Sequence, residues 1–243
     1  MTLRLYLDFD GTCTASAGAD TVRNPVYQSL HSEVRYDEAE FKSQPIMRAI
    51  LAKPTNTNLR LKPDVAEYLP MALSRNADIV IVSRNRREYI EAILSVGGLT
   101  DDEIEKIKIY DIRDIRSNYN SKGIVIANHE DLREKPANIT VICDDDLNGL
   151  YSMEYAVKAV AGDKTNLLSY KGNPGEIDFI QIRQDIDAKL QADAEIKQNM
   201  PSIASSASLF FSLPLNASDS QVSSNSQEQN THPDQSAASF QPK

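Results

Sequence analysis

The stretch LRLYLDFDGTCT, residues 3–14, joins a short apolar run to two aspartates and a glycine. The apolar run at 3–7 is typical of a strand that is buried on both faces. Side chains two residues apart on a strand face the same side, so Asp8 and Asp10 are expected to point towards one site. Gly11 lets the chain turn sharply directly after them. The stretch therefore predicts a buried strand that ends in a pair of carboxylates.

Apolar runs and amphipathic stretches alternate along the rest of the first 200 residues. They predict strands at 79–82, 108–110 and 139–142, and helices at 64–74, 86–96, 122–132, about 150–160 and about 177–197. Repeated strand–helix units favour a parallel sheet with right-handed connections and helices on both faces. The sequence thus predicts an α/β fold, namely a Rossmann-like doubly wound parallel sheet.

Residues with chemical potential stand where these predicted elements end or begin. Ser83 follows the second strand, Lys122 opens a helix, and Asp144, Asp145 and Asp146 follow the strand at 139–142. Ligands of parallel sheets collect beyond the carboxyl ends of the strands. A lysine in the first turn of a helix opposes the helix dipole, and consecutive aspartates repel one another unless a cation lies among them. Oxygen ligands of this kind suit magnesium better than zinc or copper.

Taken in order, the Asp-Phe-Asp-Gly-Thr stretch, the strand-terminal serine, the lysine and the acidic pair resemble the four motifs of the haloacid dehalogenase (HAD) superfamily of phosphatases. The resemblance covers residues 1 to about 170. It implies the HAD fold and a phosphoric monoester hydrolase that works through an aspartyl-phosphate.

The resemblance also implies a role for each motif. Asp8 would be the nucleophile that attacks phosphorus, and Asp10 the general acid for the leaving oxygen and then the base for water. Ser83 would hydrogen-bond the transferring phosphoryl group, while Lys122 would neutralise its charge and hold Asp8 in place.

The same resemblance implies a bound Mg²⁺. Its ligands would be Asp8, the backbone carbonyl of Asp10, and Asp144 or Asp145. The register of the acidic motif stays open, with Asp144 placed first and Asp145 second, and Asp146 or Asn148 supporting the ligands from behind.

The composition of the chain changes near residue 200. Residues 1–200 are predicted to form the HAD-like domain, and residues from about 14 to 59, which lack strong strand runs, a small helical cap inserted over the sheet. Residues 201–243 are rich in serine, glutamine and asparagine, which predicts a disordered tail. An apolar patch at 209–215 interrupts that tail and is a candidate to dock on the domain or engage a partner.

Charge and cysteine content narrow the class of protein. A formal net charge of -9 disfavours a broad nucleic-acid or anionic membrane footprint. Neither a signal peptide nor an apolar run long enough to span a membrane is visible, so the predicted location is the cytoplasm. The two cysteines, Cys13 and Cys143, are predicted to be buried thiols rather than a disulfide framework. The tail resembles C-terminal signals of bacterial type IV secretion effectors, so translocation into a host cell is the alternative to a cytoplasmic location.

Three functional hypotheses remain open at this point. The first is a magnesium-dependent phosphatase acting on a phosphoprotein or a small phosphometabolite. The second is a phosphotransferase or mutase that passes the same covalent phosphate to another hydroxyl. The third is a non-enzymatic module that binds a partner. Arg84, Arg86 and Arg87 either bind a second anionic group of the substrate or form an ordinary exposed helix face.

Overall fold

A computed structural model describes residues 2–30, 44–56 and 59–199 of the chain. Within these residues one parallel sheet is built from β1 (Leu3–Leu7), β2 (Asp78–Val82), β3 (Lys108–Tyr110), β4 (Ile139–Asp144) and β5 (Asn166–Lys171). Their order across the sheet is β3-β2-β1-β4-β5. The predicted α/β fold with a doubly wound parallel sheet is confirmed.

The direction in which the chain adds strands reverses at the centre of the sheet. The strands run outward from β1 to β2 and β3, and the chain then returns to place β4 on the other side of β1. Leu7 consequently pairs with Ile81 on one side and Cys143 on the other. A crevice opens at such a switch point, beyond the carboxyl ends of the two strands that flank it. Here those strands are β1 and β4.

Helices cover both faces of the sheet. They are α1 (Gly18–Arg23), α2 (Pro25–Ser29), α3 (Gln44–Leu51), α4 (Pro63–Ser74), α5 (Arg87–Val96), α6 (Asp101–Glu105), α7 (Ile112–Ser117), α8 (Lys122–Ala127), α9 (Glu130–Glu134), α10 (Leu147–Ala161) and α11 (Phe179–Asn199). One core joins the side chains of α4, α5 and α11 to alternate residues of the strands, and a second core joins α7 to α10 to the opposite face. Alternate residues of each strand pack into opposite cores, so both faces are buried. This explains why β1, β2 and β4 read as nearly unbroken apolar runs.

The predicted helix at 122–132 is wrong as a single element. The structure has α8 and α9 instead, separated at Asn128 and His129. His129 is buried, and its Nδ1 lies 2.9 Å from the Tyr6 hydroxyl. The chain leaves the helical path at this point, and His129 packs inward against Tyr6. The helix expected to begin at residue 86 begins at Arg87, with Arg86 as its N-cap.

Three short helices occupy the described part of the predicted cap, between β1 and α4. In α2, the Tyr27 ring meets the ring of Tyr89 edge-on at 4.9 Å between centroids. Residues 31–43 and 57–58 of the predicted cap, and the whole predicted tail at 201–243, lie outside the described residues. Among the helices that the structure describes, none is both long and apolar enough to cross a membrane.

Candidate active site

Two adjacent strands bring the first and last motifs together. Asp8 directly follows β1, and its N–H donates to the Cys143 carbonyl at 2.9 Å, which extends the pairing of β1 with β4 by one step. Asp144 is the last residue of β4. Both carboxylates are buried, and both stand at the switch point where the crevice opens. Cys13 and Cys143 are free and buried, as predicted.

Lys122 lies between these two carboxylates. Its Nζ donates to Asp8 Oδ1 at 2.7 Å and to Asp144 Oδ2 at 2.8 Å. Ser121 caps α8 by accepting from the Ile124 N–H, so the helix delivers Lys122 from its first turn. The unfavourable position of this lysine on its own helix is thus offset by two ion pairs from other elements.

Asp145 completes a cluster of carboxylates. One oxygen each from Asp8, Asp144 and Asp145 lies within 4.8 Å of the others. With all three ionised and Lys122 charged, three negative charges face one positive charge, which leaves an excess of two. Hard oxygen donors with this excess fit Mg²⁺. The Asp146 N–H donates to Asp144 Oδ1 at 2.8 Å and so holds that carboxylate in place, while the Asp146 side chain caps α10 by accepting from the Asn148 and Gly149 N–H groups.

Two glycines allow the carboxylates to sit this close to the backbone. Gly11 has a φ of 80°, in the left-handed region, and a Cβ there would overlap the Asp145 carboxylate. A Cβ at Gly149 would overlap the Asp144 carboxylate in the same way. The turn that Gly11 was expected to make is therefore present, and it also provides space for the Asp145 carboxylate.

The crowding of acids shifts their pKa values. Burial raises the pKa of Asp8 to about 6, although Lys122 acts in the opposite direction. Burial, and then the charge of Asp8, raise the pKa of Asp144 to about 6, again against Lys122. Burial also raises the pKa of Asp145. For Lys122, burial alone would lower the pKa, but Asp8 and Asp144 outweigh it and the net shift is upward.

Asp10 lies beside this cluster and carries the largest upward shift among the carboxylates named above. Burial, and then the charge of Asp8, raise its pKa to about 7, while contacts with Asn85 and Thr21 act in the opposite direction. Asn85 Nδ2 donates to Asp10 Oδ2 at 3.2 Å. The Tyr27 hydroxyl, in turn, donates to Asn85 Oδ1 at 2.7 Å. Helix α2 is thereby connected to Asp10 through one amide.

Ser83 stands at the same edge of the sheet. Its N–H donates to the Tyr110 carbonyl at 2.9 Å, and its Oγ accepts from the Asn85 N–H at 3.1 Å. Helix α5 begins four residues further on, at Arg87, so Ser83 lies in the segment between β2 and that helix.

Sequence reasoning missed Asn85, Tyr27 and Thr21. Asn85 follows Ser83 by two residues and carries no motif of its own, and Tyr27 and Thr21 come from the predicted cap. The roles of Asn85 and Tyr27 at Asp10 depend on contacts between residues 58 or more apart in the chain, for example Tyr27 with Asn85. Hydrophobic periodicity carries no signal for such contacts.

Solved structures of other proteins share this architecture. The Legionella pneumophila effector Ceg4 matches with a TM-score of 0.66 and 24% sequence identity, over 77% of this chain and 93% of that one. A second Ceg4 structure gives a TM-score of 0.63 and 25% identity, over 77% and 94% of the two chains. The HAD domain of the Legionella pneumophila effector Lem4 gives 0.59 and 24%, over 76% and 93%. No protein-family model matches the chain, and no curated protein does.

The fold is therefore HAD-like, as the motif order implied. The proteins that share it here are described as effectors of Legionella pneumophila. The likeness to these structures is one of fold.

Proposed function

We propose that the chain is a magnesium-dependent phosphatase that hydrolyses a phosphomonoester through an aspartyl-phosphate on Asp8. The observation that carries this proposal is the double ion pair of Lys122 with Asp8 and Asp144, next to the buried Asp10. A buried nucleophile, a buried cation and a carboxylic acid of raised pKa meet at one crevice, which is typical of a catalytic site.

Asp8 supplies the nucleophile. A bond forms between its carboxylate and phosphorus as the bond from phosphorus to the leaving oxygen breaks. This step needs the ionised carboxylate, which burial disfavours. Lys122, at 2.7 Å from Oδ1, favours the ionised form and fixes the orientation of the side chain.

Asp10 supplies the proton transfers. Its acid form protonates the leaving oxygen, and its carboxylate then takes a proton from the water that hydrolyses the aspartyl-phosphate. A pKa of about 7 makes both forms accessible near neutral pH. Asn85 orients the group, because its Oδ1 accepts from the Tyr27 hydroxyl and the Arg86 N–H and its Nδ2 therefore faces Asp10.

Ser83 binds the transferring phosphoryl group. Its Oγ already accepts from the Asn85 N–H, so the hydroxyl hydrogen is the part that donates to a phosphoryl oxygen. Mg²⁺ would be held by Asp8, Asp144 and Asp145, with the Asp10 backbone carbonyl that the family resemblance implies. When bound, it supplies positive charge opposite the oxygens of the phosphoryl group.

The test measures release of inorganic phosphate from phosphopeptides, sugar phosphates and nucleotides. We expect turnover of at least one class by the wild-type protein with Mg²⁺, and none above background with EDTA or with Asp8→Asn. Asp8→Asn protein with full activity, or wild-type turnover that EDTA does not change, would contradict the proposal.

The same assay separates the alternatives. A phosphotransferase or mutase forms the same aspartyl-phosphate but delivers phosphate to an added alcohol or sugar, so the product would be a new phosphoester. A non-enzymatic module would bind a phosphorylated partner without turnover. The complete set of catalytic groups at the crevice favours an enzyme over a non-enzymatic module, and the identity of the product decides between hydrolysis and transfer.

We further propose that the chain is an effector which a type IV secretion system translocates into a host cell. The support is the likeness to Legionella pneumophila effectors, together with the polar, serine-rich sequence of residues 201–243. A reporter fused to residues 201–243 is expected to enter host cells when the secretion system is intact and not when it is disabled. Lack of transfer by both this fusion and the full chain would contradict the proposal.

A further inference from the structure

A cavity of about 480 Å³ opens on the Asp10 side of the site. Its volume falls within the usual range for small-molecule sites. It is lined by Asp10, Gly18, Ala19, Val22, Arg23, Arg84, Asn85 and Ile112. Of the predicted catalytic and metal-binding residues, Asp10 alone belongs to this lining. The cavity therefore adjoins the general acid rather than the nucleophile.

The position of the cavity identifies which part of a substrate enters it. Asp10 donates its proton to the leaving oxygen in the proposed reaction, so the leaving group has to lie on the side of Asp10. Helix α1 forms one wall, with Val22, and Ile112 at the start of α7 contributes another half-buried apolar side chain. These side chains suit the carbon skeleton of a leaving group.

Two arginines give the cavity its charge. Arg23 comes from the last turn of α1, and Arg84 comes from the segment after β2. Arg84 Nη2 donates to the Asn120 carbonyl at 3.1 Å, which ties the side chain to the turn that precedes Lys122. Guanidinium groups bind carboxylate and phosphate groups with two parallel hydrogen bonds.

The neighbouring Arg87 has a structural task. Its Nη2 donates to the Ile109 carbonyl at 2.6 Å, and its N–H donates to Asp111 Oδ2 at 3.2 Å. Of the three arginines after Ser83, Arg84 lines this cavity, whereas Arg86 and Arg87 are not among its lining residues, so binding of a second anion concerns Arg84. Its partner in that task is Arg23, which comes from a different element.

We propose that this cavity binds the leaving group of the substrate, and that Arg23 and Arg84 recognise a second anionic group on it. The inference rests on the proposed phosphatase function and narrows its substrates to phosphomonoesters whose leaving group carries a carboxylate or another phosphate. In a chain with a net charge of -9, a pair of arginines beside the general acid is a local reversal of sign. Such a pair selects anions at short range and is sensitive to salt.

The test uses two aryl phosphates that differ in one charge, 4-carboxyphenyl phosphate and its neutral analogue 4-carbamoylphenyl phosphate. We expect kcat/KM of the wild-type protein to favour the carboxylate by about tenfold at low salt. Arg23→Gln and Arg84→Gln should each reduce that preference, and the double variant should abolish it. A second arm repeats the comparison with phosphopeptides that carry Glu or Gln beside the phosphorylated residue, which distinguishes a small substrate from a peptide.

Arg133→Gln is the matched control. It removes the same charge from α9, the helix that contacts the opposite edge of the sheet through the Asp131 carbonyl and Arg4. We expect this variant to keep the wild-type preference, and thermal melting of all variants checks that each is folded.

The outcomes separate this inference from the proposed function. A preference that falls in the cavity variants and persists in Arg133→Gln supports the inference. Magnesium-dependent turnover of the neutral ester with no preference in the wild-type protein, or with a preference that the cavity variants retain, overturns the inference and leaves the phosphatase standing. Lack of turnover of every phosphomonoester overturns both.

Discussion

The two ends of the strands in the central sheet carry charged residues in different arrangements. We call the end at which the parallel strands begin the amino edge, and the end at which they finish the carboxyl edge. At the amino edge, Arg4 pairs with Asp78 at 2.5 Å and Lys135 lies 3.5 Å from Asp131, so two carboxylates face two cations. At the carboxyl edge, the described residues include a cluster of three carboxylates, Asp8, Asp144 and Asp145, and Lys122 is the cation that forms ion pairs within it. The charges of the two ion pairs at the amino edge balance, whereas the three carboxylates of the cluster exceed the charge of Lys122 by two when all are ionised.

Burial makes this difference consequential. The side chains of Asp78 and Asp131 are 38% and 41% exposed, so water helps to solvate them. Those of Asp8 and Asp144 are 9% and 0% exposed. An excess of buried negative charge costs stability, and it persists where a site needs it. The contrast supports the proposed placement of the active site at the carboxyl edge. A substitution or a change of pH that alters the charges at one edge tests this contrast.

The largest effect is expected for Asp8→Asn. The substitution removes the nucleophile and should lower kcat/KM by at least about 10⁴-fold. It also removes one buried negative charge, so the metal-free protein should melt at a higher temperature than wild type at pH 8. Phosphate release and thermal melting in EDTA check the two parts. A variant that is inactive and also less stable would contradict the idea of an unbalanced cluster.

The next largest effect is expected for Lys122→Met. It leaves Asp8 and Asp144 buried without their cation and should lower the free energy of unfolding by about 3–5 kcal/mol at pH 8 in EDTA. Denaturant unfolding measures the loss. Lys158→Met, which removes an exposed lysine of α10, is the control and should change the free energy by less than about 0.5 kcal/mol. Equal losses in the two variants would refute this account of Lys122.

Mg²⁺ is expected to stabilise the protein in a pH-dependent manner. Carboxyl groups whose pKa is raised in the folded state, from 3.8 to about 6 for Asp8 and Asp144, stabilise the fold at low pH and lose that contribution as pH rises through the folded pKa. Metal binding needs the ionised forms. A Mg²⁺ concentration of 100 times the Kd at pH 8 should therefore add about 2.7 kcal/mol at pH 8, and the same concentration should add much less at pH 5. Melting curves with and without Mg²⁺ measure the difference, and a shift that is independent of pH would contradict this prediction.

The smallest effect is expected at the amino edge. Arg4→Met removes the cation beside Asp78 and should cost about 1.5 kcal/mol, which corresponds to a fall of about 3–6 °C in Tm. The site lies at the other edge of the sheet, so kcat and KM should stay at wild-type values. A large loss of activity without a loss of stability would show that the two edges do not have separate tasks.

The parts of the fold that could be predicted from the sequence are those that simple local patterns encode. Strands β1, β2 and β4 are mostly apolar because helices cover both of their faces. Strand β5 was missed because it is an outermost strand of the sheet and is only half-buried, so it has no continuous apolar run. The break before α9 depends on the buried contact of His129 with Tyr6, which no local pattern encodes.

The same limit applies to the site. Asp8, Ser83, Lys122 and Asp144 stand at the ends of strands or the start of a helix, where their type and order can be read in the sequence. The tertiary structure, rather than a local pattern, places Asn85, Arg23 and helix α1 around the cavity beside Asp10. The positions of the proposed catalytic residues were therefore predictable, whereas the surroundings of Asp10, which we propose to bind the leaving group, follow only from the structure.

The most direct measurement is to trap the covalent intermediate. Borohydride added during turnover with Mg²⁺ reduces an aspartyl-phosphate to homoserine, and mass spectrometry of the tryptic peptide at residues 5–23 then locates the change. The account predicts homoserine at position 8 only when substrate is present, and none in Asp8→Asn. Continued turnover with no change at position 8, or with the change at Asp10 instead, would contradict it.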